Sequence, residues 1–283
     1  MKFSRLMLGT VQFGLNYGIA NTSGKPSYER AKQILHDAAD AGITALDTAA
    51  AYGDSELVLG RAMAELGIAD KMTVVSKVPP IPEGADPLAF IEKSVTSSLE
   101  RLRLPVIPLI LFHRETDNKY LPEMQALIDK GMILHAGVSL DSLPYAGLAD
   151  KIDFVQVPCN VMDHRFDQAF HADRAGHVFI RSVYLQGLML MPRERIPFPE
   201  LAAYRDQLEK FGLPMAELCM RYLLSQPGPV SVLTGVDTPE QLKENVRMAE
   251  LGALPDDLFK AVRDTVPLLD ERLIRPGNWP KNR

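Results

Sequence analysis

The sequence predicts a (β/α)8 barrel built as one domain over residues 1–283. Three observations carry this expectation. Short runs rich in Val, Ile and Leu occur eight times, amphipathic stretches alternate with them, and no Gly/Ser-rich linker or shift in composition divides the chain. The runs are continuous rather than alternating in polarity, as parallel strands buried on both faces require. A doubly wound open sheet is the alternative, but no G-x-G-x-x-G stands between the first strand and helix.

In chain order the expected strands are LMLGT (6–10), ITALD (43–47), MTVVSK (72–77), PLILFH (108–113), ILHAGVS (133–139), DFVQVP (153–158), HVFIRS (177–182) and VSVLTG (230–235). Each ends in a small or polar residue and is followed by a helical pattern or a turn. The first long helix is expected over 27–42, where Ile34, Leu35, Ala38 and Ala41 share a face and Gly42 can stop the helix in the left-handed conformation. Further helices are expected at 54–66, 88–103, 120–130, 141–149, 200–212, 214–225 and 238–250. The last of these begins clearly: Thr238, Pro239 and Gln241 read as N-cap, first-turn proline and a glutamine three residues after the cap. Residues 266–283, with Pro276, Gly277 and Pro280, form a tail expected over one mouth of the barrel.

Composition narrows the function. With 46% hydrophobic and 24% charged residues, the chain suits a large globular core rather than a fibre, a disordered tail or a membrane span. A net charge of −5 with scattered basic residues gives no surface for nucleic acid. Cys159 and Cys219 lie far apart without metal-ligand spacing, and both read as small packed hydrophobes in a reducing compartment. The histidines at 36, 135, 164, 171 and 177 show no metal spacing either. The apolar start is too short for a secretory signal and no window reaches bilayer length, so a cytoplasmic protein acting on a small molecule is expected. Its oligomeric state is not encoded in these patterns.

In such a barrel the reactive groups sit at the carboxyl ends of the strands. Those ends hold Asp47, Lys77 and His113, and the loop after the second strand holds Tyr52. A free phenol, with a pKa of about 10, is a poor acid at neutral pH. An ammonium at Lys77 would lower it, and Asp47 would keep that lysine charged. His113, as a neutral imidazole, could orient a substrate oxygen towards the phenol. The set would protonate an oxygen on which negative charge develops, as carbonyl reduction demands, and a nicotinamide or flavin would have to bring the hydride.

The run GITALDTAAAYGDSELVLGRAM (42–63), with VVSK (74–77) and LILFH (109–113), resembles the aldo-keto reductases. The likeness begins at LMLGTVQFG (6–14) and continues through AGVS (136–139) and FVQ (154–156) to TGVDTPEQLKEN (234–245). It implies a (β/α)8 fold, a nicotinamide cofactor and reversible reduction of aldehydes or ketones, with Tyr52 as the acid and Asp47, Lys77 and His113 as its partners. It also implies cofactor contacts. Gly9 and Thr10 would lie beside the nicotinamide ribose, Asp47 would be a further cofactor contact, and Ser139 and Gln156 would bind the carboxamide. Ser182, Tyr184, Gln186 and Gly187 would hold the pyrophosphate and ribose, and Gly235, Asp237, Gln241, Glu244 and Asn245 the adenosine side.

Three departures stand out. Leu140 occupies a position that is often Asn, and Arg181 one that is often an aromatic stacked on the nicotinamide, where its planar guanidinium could stack instead. Asp237 lies where Lys or Arg often meets the 2′-phosphate of NADP, and an acid there would repel it. Family habit favours NADP(H) over NAD(H), with Lys243 and Arg247 as substitute cations. Phe13, Tyr17 and Trp279 are pocket candidates as well as packing residues, while Met189 and Met191 read as core. Two other functions fit parts of the pattern: a Schiff-base aldolase using Lys77, and a regulatory subunit that binds nicotinamide and reports redox state.

Overall fold

The computed structural model of the chain describes residues 3–18 and 24–279. Eight parallel strands close on themselves in sequence order: β1 (Leu6–Gly9), β2 (Ala45–Asp47), β3 (Thr73–Val78), β4 (Ile107–Phe112), β5 (Ile133–Ser139), β6 (Phe154–Pro158), β7 (His177–Arg181) and β8 (Val230–Gly235). The helices are α1 (Val11–Gly14), α2 (Tyr28–Asp40), α3 (Ser55–Leu66), α4 (Pro87–Leu102), α5 (Leu121–Asp129), α6 (Pro199–Glu209), α7 (Met215–Leu224), α8 (Pro239–Glu250), α9 (Asp256–Thr265) and α10 (Glu271–Ile274). The expected (β/α)8 barrel is the observed fold.

Strand parity decides which side chains can meet. Met7, Ala45, Val75, Leu109, Leu111, Phe179 and Leu233 pack together inside the barrel, whereas their neighbours Leu6, Leu8, Leu46, Val74, Ile110, Ile180 and Val232 pack outward against the helices. Asp47, Lys77, His113, Arg181 and Gly235 each follow an inward residue by two positions. The two-residue period therefore aims all five at the carboxyl end of the barrel interior. Register agrees: Gly9 pairs with Asp47, Lys77 with Leu111, and Ser139 with Gln156.

Local signals fix the helices. In α2, Ser27 caps the amide of Arg30, Ala31, Ile34, Leu35 and Ala38 are buried, and Gly42 takes the left-handed conformation at φ 77°. Ala41 lies past the last turn and is exposed, so it does not belong to the buried face. The helix expected over 141–149 is instead a run of 3₁₀ turns at Leu143–Leu148. The Glu115 carboxylate takes the amides of Asp141 (2.6 Å) and Ser142 (2.9 Å), and Pro144 and Gly147 weaken continuation into a helix. Helix α9 was not foreseen. Beyond it, Val266, Leu269 and Ile274 are buried, so much of the tail is packed down, and Pro280 lies outside the described residues.

Candidate active site

The loop after β2 is set in place by two close approaches and two buried anchors. A Cβ on Gly14 would fall 1.7 Å from the carbonyl oxygen of Tyr52, and one on Gly53, at φ 54°, would fall 2.6 Å from the oxygen of Gly14. Only glycines let α1 and the Tyr52 loop touch in this way. Ser55, at the start of α3, donates its hydroxyl to the Thr10 carbonyl (2.8 Å) and lies 2.9 Å from the Thr48 hydroxyl. The buried Glu56 carboxylate accepts from Ser76 (2.5 Å), Ser98 (3.2 Å) and Arg101 (2.7 Å). Ser55 and Glu56, within the run GITALDTAAAYGDSELVLGRAM (42–63), thereby tie the loop to β1, β3 and α4.

At the strand ends the four expected groups come together. The Lys77 ammonium donates to Asp47 Oδ1 (2.6 Å), to the Thr48 carbonyl (2.9 Å) and to the Tyr52 hydroxyl (3.4 Å). The Tyr52 and His113 rings meet edge to face at 5.5 Å. Burial alone would lower the lysine, but Asp47 and Tyr52 hold it above its ordinary value, so it stays charged. Burial, aided by Lys77 and Arg181, pushes the His113 imidazole down to about 3, so it is neutral, and its Nδ1 is buried without a protein partner. The expectation for the phenol needs correcting. Burial raises Tyr52 above the usual phenol value and outweighs the opposing pull of Lys77, with the Asp47 charge adding to the rise.

Beside the phenol opens a cavity of about 420 Å³, within the range of small-molecule sites. Gly9, Thr10, Asp47, Tyr52, Gln156, Arg181, Ser182, Tyr184, Gln186, Gly187, Gly235, Asp237, Gln241, Glu244 and Asn245 line it. Lys77, His113 and Ser139 are not among the residues that line it. Gln156 donates to Asp47 Oδ1 (2.7 Å), so one of its amide hydrogens is already engaged. Tyr17 lines the cavity and accepts from Gln186 (3.3 Å), whereas Phe13 is core and Trp279 packs on Phe198 and donates to the Leu273 carbonyl.

Two polar lining residues escaped the sequence reading. Gln12 presents a buried Oε1, and Thr234 a buried hydroxyl, neither with a hydrogen-bond partner. The Gln12 amide also sits where a Cβ on Gly235 would fall, about 2.3 Å away. Gln12 lies in α1, three residues past the end of β1, and that place just beyond a strand end is the signal that could have found it. Backbone strain gathers on the same wall: Ser182, Leu185 and Gln186 take left-handed conformations at φ 68°, 48° and 54°. Asn160 steadies the first by donating to the Ser182 carbonyl (3.0 Å).

At the far end, Thr238 caps the Gln241 amide (3.3 Å) and Gln241 Oε1 accepts from the Asp237 amide (2.7 Å). The expected N-cap is thus formed, and it engages the Gln241 amide. Arg247 pairs with Glu244 (2.7 Å), and neither it nor Lys243 lines the cavity. Among the described residues, no cluster could hold a metal ion and no helix is long and apolar enough to cross a membrane. Both cysteines are buried and free, and burial raises their thiols, that of Cys219 to about 12.

The Aldo/keto reductase family model matches residues 5–266. An uncharacterized oxidoreductase of Mycobacterium bovis is 30% identical over 285 aligned residues, spanning 88% of this chain and 85% of that protein. The glycerol dehydrogenase AKR11B4 from Gluconobacter oxydans is 25% identical, with a TM-score of 0.72 over 99% of this chain and 94% of its own. The aldo-keto reductase AKR11C1 from Bacillus halodurans, in its holo form, shares the fold at 21% identity and a TM-score of 0.75, over 96% of each chain.

Proposed function

Because the chain belongs to the aldo/keto reductase family and is a nicotinamide-dependent oxidoreductase, we propose that it reduces an aldehyde or ketone with Tyr52 as proton donor. The observation that carries this reading is the phenol set between a charged Lys77 and a neutral His113 at the wall of one cavity.

The residues present suit a nicotinamide dinucleotide. Gln12 Oε1 and Thr234 Oγ1 are unpartnered on the wall, and Gly9 and Gly187 present backbone without a side chain to it, while the face of Gly235 is taken by the Gln12 amide. Gln156 and Arg181 would hold the nicotinamide end, Ser182, Tyr184, Gln186 and Gly187 the middle, and Gln241, Glu244 and Asn245 the adenosine end. When bound, the reduced nicotinamide supplies the hydride.

The chain's own residues handle the proton. The Tyr52 hydroxyl donates to the carbonyl oxygen as negative charge develops, and the Lys77 ammonium 3.4 Å away stabilises the phenolate left behind. Asp47 keeps that ammonium in place and charged. His113, neutral at working pH, orients the carbonyl towards the phenol. A lysine held this firmly in its charged form is a poor nucleophile, which speaks against a Schiff-base aldolase.

Family habit favours NADP(H), but the charges at the adenosine end favour NAD(H). Asp237 and Glu244 line it, and no Lys or Arg does so among the described residues. We therefore read the preference as NAD(H).

The test is Tyr52→Phe. Dinucleotide affinity, followed by fluorescence titration, should hold, while turnover of a carbonyl panel falls by roughly 10²–10⁴-fold or more. In the wild type, reduction should be level through neutral pH and decline only above a pH of about 10, where an ordinary phenol ionises. Turnover retained in the variant would refute the donor assignment. Tight cofactor binding without turnover in the wild type would favour the regulatory role instead.

A further inference from the structure

We propose that Arg275, in the C-terminal tail, is a positioning residue for the nicotinamide end of the cavity, acting through Asp141 on Arg181. The inference rests on the reading that this cavity holds a nicotinamide dinucleotide.

Arg181 is the one cation among the described residues lining the cavity, and it shares that wall with Tyr52, Asp47 and Gln156. A long arginine side chain does not hold one place without partners. Here the guanidinium leaves β7 and reaches over to the β5 loop, donating to the Leu140 carbonyl (3.0 Å) and to Asp141 Oδ1 (2.6 Å). The other Asp141 oxygen, Oδ2, accepts from Arg275 Nε. One carboxylate thus joins the tail to the cavity wall, each oxygen committed to a different arginine.

The tail end of this link is itself anchored. The Arg275 amide donates to the Glu271 carbonyl (2.9 Å), and the Glu271 carboxylate accepts from Arg165 (2.9 Å) and from the Leu143 amide (2.8 Å). Arg165 is buried and held by Asp163 (2.7 Å). Alternating charges therefore run from a buried arginine in the loop after β6, through the tail, to the one guanidinium on the wall. Without Arg275, Asp141 loses the partner that fixes its second oxygen, and Arg181 is held by a carboxylate free to turn.

The experiment uses the full chain with Arg275→Ala, Arg275→Lys, Asp141→Asn and, as a control in the same tail, Arg272→Ala, which removes an exposed pair with Asp270. Each is titrated with NADH and NADPH, with kcat, KM for the carbonyl and the urea midpoint measured alongside. Arg275→Ala should weaken binding of the reduced dinucleotide about five-fold, the upper range for a pair about one-third exposed, while its urea midpoint falls no further than that of Arg272→Ala. Arg275→Lys should restore part of that affinity, and Arg272→Ala should match the wild type. Adding Arg275→Ala to Asp141→Asn should cost nothing more, since both break one link. Binding by Arg275→Ala equal to the wild type, or an equal loss in Arg272→Ala, would overturn the proposal alone. Failure of the wild type to bind either dinucleotide would overturn both it and the reading beneath it.

Discussion

The contact between Gly14 and the Tyr52 loop makes a single methyl group a test of how the proton donor is placed. Gly14→Ala puts a Cβ 1.7 Å from the Tyr52 carbonyl oxygen and 2.7 Å from the Ser55 amide nitrogen, where real Cβ atoms keep at least 3.0 Å. The obstacle is backbone on every side, so no side chain can swing away. The Tyr52 segment or α1 must shift by about 1.3 Å. A displacement near 1 Å in a group that must meet its reactant at hydrogen-bond distance costs about 10²-fold in rate. Gly14 does not line the cavity, so dinucleotide affinity should change far less than turnover. The assay is steady-state reduction of a carbonyl at saturating cofactor, with affinity titrated separately. Gly147→Ala is the control, because nothing lies within 4 Å of its added Cβ and its backbone is not left-handed. Gly14→Ala with wild-type kcat would refute the argument that this contact sets the donor's position. A loss of affinity as large as the loss of rate would refute the separation of the two roles.

Asp237→Ser should move preference towards NADPH, and Asp237→Arg should move it further, read as the ratio of kcat/KM for the two cofactors; an unchanged ratio would show that the 2′-phosphate lies elsewhere. Stability should decline in acid because of buried neutral imidazoles: burial lowers His113 and His164 to about 3 and His177 to about 4. These folded values lie below the unfolded value of about 6.5, so the unfolded chain binds more protons, and stability present above pH 6.5 is lost as pH falls towards 3. His164→Gln should flatten the fall of the urea midpoint over that window, and a wild-type midpoint level from pH 7 to 4 would contradict the argument.

The barrel and its reactive end were legible because continuous apolar runs mark the strands and their last residues mark the mouth. Eight such runs with helical patterns between them suffice for the topology, and the final residues of three of them are Asp47, Lys77 and His113. The 3₁₀ turns at Leu143–Leu148 were not legible, since the Glu115 carboxylate that captures the Asp141 and Ser142 amides comes from another loop. Nor was the absence of Ser139 from the cavity wall. It has the right parity, but Arg181 reaches from β7 to the Leu140 carbonyl beside it, a span that no local pattern encodes. The sign of the Tyr52 shift was missed for a related reason. Proximity of a cation can be inferred from strand ends, whereas burial is the sum of everything packed around the phenol.

That sign changes what the ammonium is for. A lysine that ionised the resting phenol would leave the enzyme with its acid already spent at neutral pH. With burial holding Tyr52 above its usual value, the donor we propose would keep its proton until a carbonyl oxygen begins to gain charge. In that reading Lys77 acts on the product of the transfer, stabilising a phenolate that the same burial would otherwise make costly. Asp47 works in both directions: it keeps the lysine charged and also repels the phenolate. The hydrogen bond from Gln156 tempers that repulsion by drawing charge density on Asp47 Oδ1 towards its own amide. The balance suits a donor more than a base. In the proposed mechanism oxidation of an alcohol needs the phenolate beforehand, and a phenol held above its ordinary value supplies little of it at neutral pH, so the rate of alcohol oxidation is expected to rise as the medium becomes alkaline.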